Sequence, residues 1–212
     1  MSDTDTPRIY LISPPEIDLS GFPNRLAQVL DAHDVACVRL ALSSHDEDLL
    51  SRAADACREV THTRDVALVL NTHFLLAERL GLDGVHLLDG ARNVRKAREH
   101  LGQDAIVGAY CGTSRHDGMT AAEAGADYIS FGPAGCSTLG DGSRAEPDLF
   151  AWWTEMIEVP VVAEGALDAE IVGSLTETTD FLGVGDEIWA QPDAADALTR
   201  LCAGFGAGAS ST

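Results

Sequence analysis

Short, nearly continuous apolar runs alternate along this chain with stretches in which apolar residues recur every three or four positions. The runs cover 8–13 (RIYLIS), 36–42, 66–71 (VALVLN), 83–87 (DGVHL), 105–110, 128–131, 160–163 and 181–184. Runs this short read as strands buried on both faces, and the spaced stretches read as amphipathic helices. The helices are expected over 22–33, from Ser44 onward with Leu50, Ala53, Ala54 and Cys57 on one face, and over 74–80, 91–101, 114–124, 148–157, 168–175 and 193–202. Ser44 and Glu47 have the spacing of a capping box for the second helix. Gly81 ends the third, and Gly118 weakens the fifth by about 1 kcal/mol relative to alanine.

Eight strands alternating with helices predict a (β/α)8 TIM barrel of minimal size. A single domain is expected over 8–203, between disordered tails at 1–7 and 204–212. A doubly wound sheet is disfavoured because no GxGxxG joins the first strand to the first helix. In a barrel the functional side chains lie where strands end. That rule selects Ser13, Asn71, Thr72, His73, Asp89, Tyr110, Glu164, Gly165, Gly185, Asp186 and Glu187. It also selects the loop from Gly132 to Pro147, whose length suits a lid and whose cation is Arg144.

Composition narrows the function. The chain has 34 acidic residues against 14 Lys and Arg, for a net charge of -20. This opposes nucleic acid and anionic membrane as partners and leaves small molecules. No apolar run is long enough to span a bilayer and the start is polar, so a cytoplasmic protein is expected. Five scattered cysteines with no CxxC pair indicate neither a disulfide framework nor a thiolate metal site.

Three segments resemble the thiamin phosphate synthase family, which includes the thiazole tautomerase (TenI) branch. They are LVLNTHFLLAERLGLDGVHL (Leu68 to Leu87), AAEAGADYISFGP (Ala121 to Pro133) and VPVVAEGAL (Val159 to Leu167). The resemblance implies a barrel of thiamin biosynthesis. Synthases of this family join a pyrimidine diphosphate to a thiazole phosphate, with Mg2+ assisting and pyrophosphate released. Carried over by position, it puts ligand-binding roles on Arg39, His86, Ser137, Thr138, Glu164, Gly165, Gly185 and Asp186. Asn71, His73, Tyr110 and Arg144 become the catalytic candidates, and Asp89 the metal-binding one.

The family's charged positions are replaced at several places. Ala41 and Ser43 stand where it has arginine and lysine, Thr72 and Ala91 where it has metal-binding aspartates, and Asp186 where it has the serine of a phosphate turn. An anion about 4 Å from a phosphate costs on the order of 4 kcal/mol per charge at an effective dielectric of 20. The resulting expectation is a divergent family barrel that binds a thiazole- or pyrimidine-type ligand at its C-terminal mouth without synthase turnover. The mouth is expected to be acidic, lined by Asp89, Glu164, Asp186 and Glu187. The alternatives are an active synthase with a rebuilt site and a non-catalytic binding or regulatory protein. A further reading is a zinc or iron site of His73, His86 and Asp89. A homodimer is left open.

Overall fold

The computed structural model describes residues 6–135 and 143–203. Its elements run β1 Arg8–Ile12, α1 Phe22–Ala32, β2 Val35–Leu40, α2 Glu47–His62, β3 Ala67–Asn71, α3 Phe74–Leu80, β4 Gly84–Leu87, α4 Val94–Leu101 and β5 Ile106–Tyr110. They continue α5 Arg115–Glu123, β6 Tyr128–Phe131, α6 Pro147–Met156, β7 Val161–Glu164, α7 Ala169–Leu175, β8 Phe181–Val184, α8 Asp186–Trp189 and α9 Ala194–Leu201. The eight strands are parallel and close in chain order, β8 pairing with β1. This is the (β/α)8 barrel. Of the two expected tails, 1–5 and 204–212 lie outside the described residues. No helix among those described is long and apolar enough to cross a membrane.

Successive strand residues face opposite ways, so each strand feeds two cores. One row, including Leu11, Val38, Leu40, Leu70, Val85, Ile129, Phe131 and Leu182, packs against the helices in one continuous cluster. The other row faces the barrel interior, where Tyr10, Cys37, Val69, Tyr128 and Val162 form a separate cluster. Gly108 makes room for it: a Cβ there would lie 2.0 Å from Tyr128 Cζ.

A repeated device starts the even-numbered strands. Gly81 and Gly125 adopt positive φ at the ends of α3 and α5, and an aspartate follows two residues later. Asp83 Oδ2 accepts from the Leu68 N–H at 2.7 Å and Asp127 Oδ2 from Val107 N–H at 2.7 Å. Before β8, Asp180 Oδ2 accepts from Val161 N–H at 2.8 Å. Each carboxylate thus satisfies the N–H of a residue at the start of the neighbouring odd-numbered strand, a group that burial would otherwise orphan.

One local expectation is corrected and another finds its reason. The cap of α2 is Asp46, whose carboxylate accepts from the N–H groups of Asp48 and Leu49, while Ser44 Oγ accepts from Asp46 N–H. A carboxylate one residue before the helix competes better for its free N–H groups than the more distant serine. Gly118 in α5 sits where a Cβ would lie 2.7 Å from the Trp153 ring and 3.0 Å from Phe131, so its propensity cost allows close packing of α5.

Candidate functional site

The inward rows become polar toward the C-terminal ends of the strands. The strand registers stagger these rows into layers. Arg39, His86, Ser130 and Gly183 of the even-numbered strands form one layer. Ile12, Asn71, Tyr110 and Glu164 of the odd-numbered strands form the next one out. Five of the predicted site residues, Arg39, Asn71, His86, Tyr110 and Glu164, are brought together here.

Their centre is an ion pair. Arg39 donates to both oxygens of Glu164, Nη1 to Oε2 at 2.8 Å and Nη2 to Oε1 at 3.3 Å, and the two residues are 5% and 8% exposed. Burial is the largest influence and opposes the guanidinium charge, but Glu164, by charge and hydrogen bond, together with Tyr10 and Tyr128 outweighs it and holds the Arg39 pKa above its usual value. Arg39 also lies 5.9 Å from the centroid of the Tyr10 ring. Tyr10 Oη and Tyr128 Oη share a 2.6 Å hydrogen bond, and Tyr128 Oη lies 2.9 Å from His86 Nδ1. His86 is fully buried; burial first and Arg39 second push its pKa well below 6.5, so the ring is neutral. Tyr110 Oη donates to Gly132 O at 2.7 Å, and burial, then Glu164, raise its pKa.

Four buried side-chain atoms in these two layers lack a hydrogen-bond partner among the described residues: Arg39 Nε, Asn71 Oδ1, His86 Nε2 and Ser130 Oγ. Next to Asn71, Thr72 has φ 61°, a left-handed conformation that is a real outlier for a β-branched residue. Its N–H donates to His86 O at 2.8 Å, which ties the strained residue to the same site.

The other predicted residues lie elsewhere. His73 precedes α3 and packs its ring against His45 at 5.9 Å. Asp89 is exposed and accepts from Asn93 at 2.6 Å. With His86 inside the barrel, these three do not converge, and the zinc or iron reading is not met. Among the described residues no group of three His, Cys, Asp or Glu side chains is placed to hold a metal. Arg144 is paired with Glu146 at 2.8 Å. Ser137 and Thr138 lie outside the described residues.

Asp186, expected to disturb a phosphate turn, is joined there by a second carboxylate. Asp186 is exposed at the start of α8. It is Glu187 that turns back: Oε2 accepts from Gly185 N–H at 2.7 Å and Oε1 from Leu167 N–H at 3.0 Å. These are backbone donors of the loops after β8 and β7, where barrels often cradle a phosphate. Gly165 and Ala166 beside them have φ 87° and 55°. The acidic mouth expected from four carboxylates therefore reduces to Glu164, already paired; Glu187 is engaged by backbone, and Asp89 and Asp186 face solvent.

Sequence reasoning missed Tyr10, Tyr128 and Ser130. The signal was present in the period of two: Ser130 stands two residues before Gly132, and Tyr128 two before Ser130, on the inward row. Strand ends alone pointed past them.

The matches to known proteins agree with this architecture. The family model described as thiamine monophosphate synthase matches residues 9–183. The chain is 43% identical over 189 residues to a thiamine-phosphate synthase of Rhodospirillum centenum, spanning 87% of this chain and 90% of that one. It is 36% identical over 197 residues to the protein of the same name from Erythrobacter litoralis, spanning 90% and 92%. Among solved structures, a thiamine phosphate pyrophosphorylase from Pyrococcus furiosus superposes with a TM-score of 0.79 at 19% identity, covering 93% of this chain and 95% of that one. The chain belongs to the thiamine monophosphate synthase family.

Proposed function

We propose that the chain is an active thiamin phosphate synthase. On this reading it forms a bond between the methylene carbon of a pyrimidine diphosphate and the ring nitrogen of a thiazole phosphate. The carbon–oxygen bond to the diphosphate breaks with its electron pair on the departing pyrophosphate, and the ring nitrogen becomes cationic. The observation that carries it is the 43% identity to a thiamine-phosphate synthase over nearly the full length of both chains. This displaces the expectation of a barrel without turnover, which rested on replaced charges counted one position at a time.

The inner layers suit the binding half of this task. They offer buried donors and acceptors at the mouth end of the barrel interior, among them a neutral His86. A magnesium ion would supply charge neutralisation for the pyrophosphate. The described residues do not fit a preformed carboxylate cage for it. The second reading is a binding protein without turnover.

One experiment separates the two. Purified protein is incubated with the pyrimidine diphosphate, the thiazole phosphate and Mg2+, and thiamin phosphate is followed by chromatography. Formation with matching release of pyrophosphate is expected. Folded protein that makes none overturns the synthase reading in favour of binding alone.

A further inference from the structure

We propose that Arg39 is the anion-binding residue of the barrel mouth, and that Glu164 is a resident counter-ion whose place a diphosphate ligand takes. The identity of the anion rests on the synthase reading; the exchange itself rests on the geometry.

A pair kept only to bolt β2 to β7 would be an expensive device. Apolar residues of similar volume serve a barrel interior as well or better, because desolvating two charges costs as much as their attraction returns. Nor is the pair complete. Among the described residues Arg39 Nε is buried without a partner, and so are His86 Nε2, Ser130 Oγ and Asn71 Oδ1 in the same and the adjoining layer. An orphaned buried polar atom is uncommon. Four in two layers at one end of the barrel indicate that the polar arrangement is completed by something other than the described residues.

The chemistry of that completion follows from Arg39. A guanidinium presents a planar fork that accepts two oxygens of a carboxylate or of a phosphate in the same way. The fork already holds Glu164 through Nη1 and Nη2. Phosphate oxygens can therefore replace the two carboxylate oxygens without rebuilding the donor side. A diphosphate brings further acceptor oxygens for Arg39 Nε and Ser130 Oγ.

Glu164 is placed to leave. It is the last residue of β7, and glycines flank its stem: a Cβ at Gly183 would lie 2.8 Å from its Cβ, and one at Gly132 would lie 3.2 Å from its Cγ. The resting pair also explains how a cation can sit deep in the mouth of the free protein. Without Glu164 the charge of Arg39 would be buried alone.

Calorimetric titration with inorganic pyrophosphate, without added metal, tests this on the full chain. Relative to the wild type, Glu164→Gln frees the fork while leaving one hydrogen-bond acceptor, and tenfold or greater tightening is expected. In the double variant Arg39→Gln/Glu164→Gln, affinity is expected to fall at least tenfold below that of Glu164→Gln. Glu164→Asp, which keeps the charge but withdraws it by one methylene, provides a milder second variant and is expected to tighten binding by a smaller factor. Equal affinity for the wild type and both Glu164 single variants overturns the proposal, as does pyrophosphate binding that survives the loss of Arg39. None of these titrations requires turnover. A wild type that makes thiamin phosphate while its pyrophosphate affinity ignores Arg39 would sink this inference and leave the synthase reading standing.

Discussion

Replacing Glu164 by leucine should be among the most destabilising single changes in the barrel, and adding Arg39→Leu should undo most of the damage. The pair is 5% and 8% exposed, so water does little to screen whichever charge is left behind. Arg39 has no route to neutrality, since a guanidinium keeps its proton in proteins even without a counter-ion. Removing one member of a buried pair costs about 3–5 kcal/mol, whereas replacing both with apolar residues is often neutral or stabilising by about 1–4 kcal/mol. The coupling energy of the double-mutant cycle should therefore reach about 3 kcal/mol or more. For a domain of this size each kcal/mol moves Tm by about 2–4 °C, so Glu164→Leu alone should melt about 6–20 °C below the wild type. Urea unfolding followed by circular dichroism on the four proteins of the cycle measures this. A Glu164→Leu cost below about 1 kcal/mol would refute the reasoning, because it would mean that Arg39 finds water or another partner as soon as Glu164 is gone.

Other perturbations read other parts of the structure. His86 is buried neutral with a lowered pKa, so below pH 6.5 the unfolded chain takes up a proton that the folded chain does not. Stability is intact above that pH and falls as pH drops toward the folded pKa, by up to about 1.4 kcal/mol per unit; the difference between wild type and His86→Gln in denaturant titrations across this range should show that slope. Asp180→Ala leaves the Val161 N–H without its 2.8 Å acceptor and should cost about 2 kcal/mol in the same assay, an effect that asparagine rescues in part. Gly108→Ala drives a methyl group into the Tyr128 ring and should cost about 3 kcal/mol by overpacking, with loss of near-ultraviolet tyrosine ellipticity as the ring is displaced.

The fold was legible because each strand and most helices carry their own period, and β6 and β8, for instance, begin and end where the apolar runs do. The strand-end rule then found Asn71, Tyr110 and Glu164, since position along a strand can be counted. What it could not supply is partnership across the barrel. Arg39 and Glu164 are 125 residues apart, and either one alone reads as a charge offered to a ligand or to solvent. Counting charge along the chain likewise shows nothing of what individual carboxylates hold. Asp83, Asp127 and Asp180 clip strands, Asp46, Asp168 and Asp193 cap helices, and Glu187 holds two loops. Each of these carboxylates faces backbone N–H groups, and for Glu187 those donors lie where the barrel architecture would otherwise receive a phosphate. Charge counted along the chain suggested a mouth hostile to anions. Charge followed to its hydrogen-bond partners gives donors that Glu164 and Glu187 already occupy; if a diphosphate takes the place of Glu164 as proposed, the affinity of the free protein for it depends on how readily that carboxylate yields rather than on the net charge of -20.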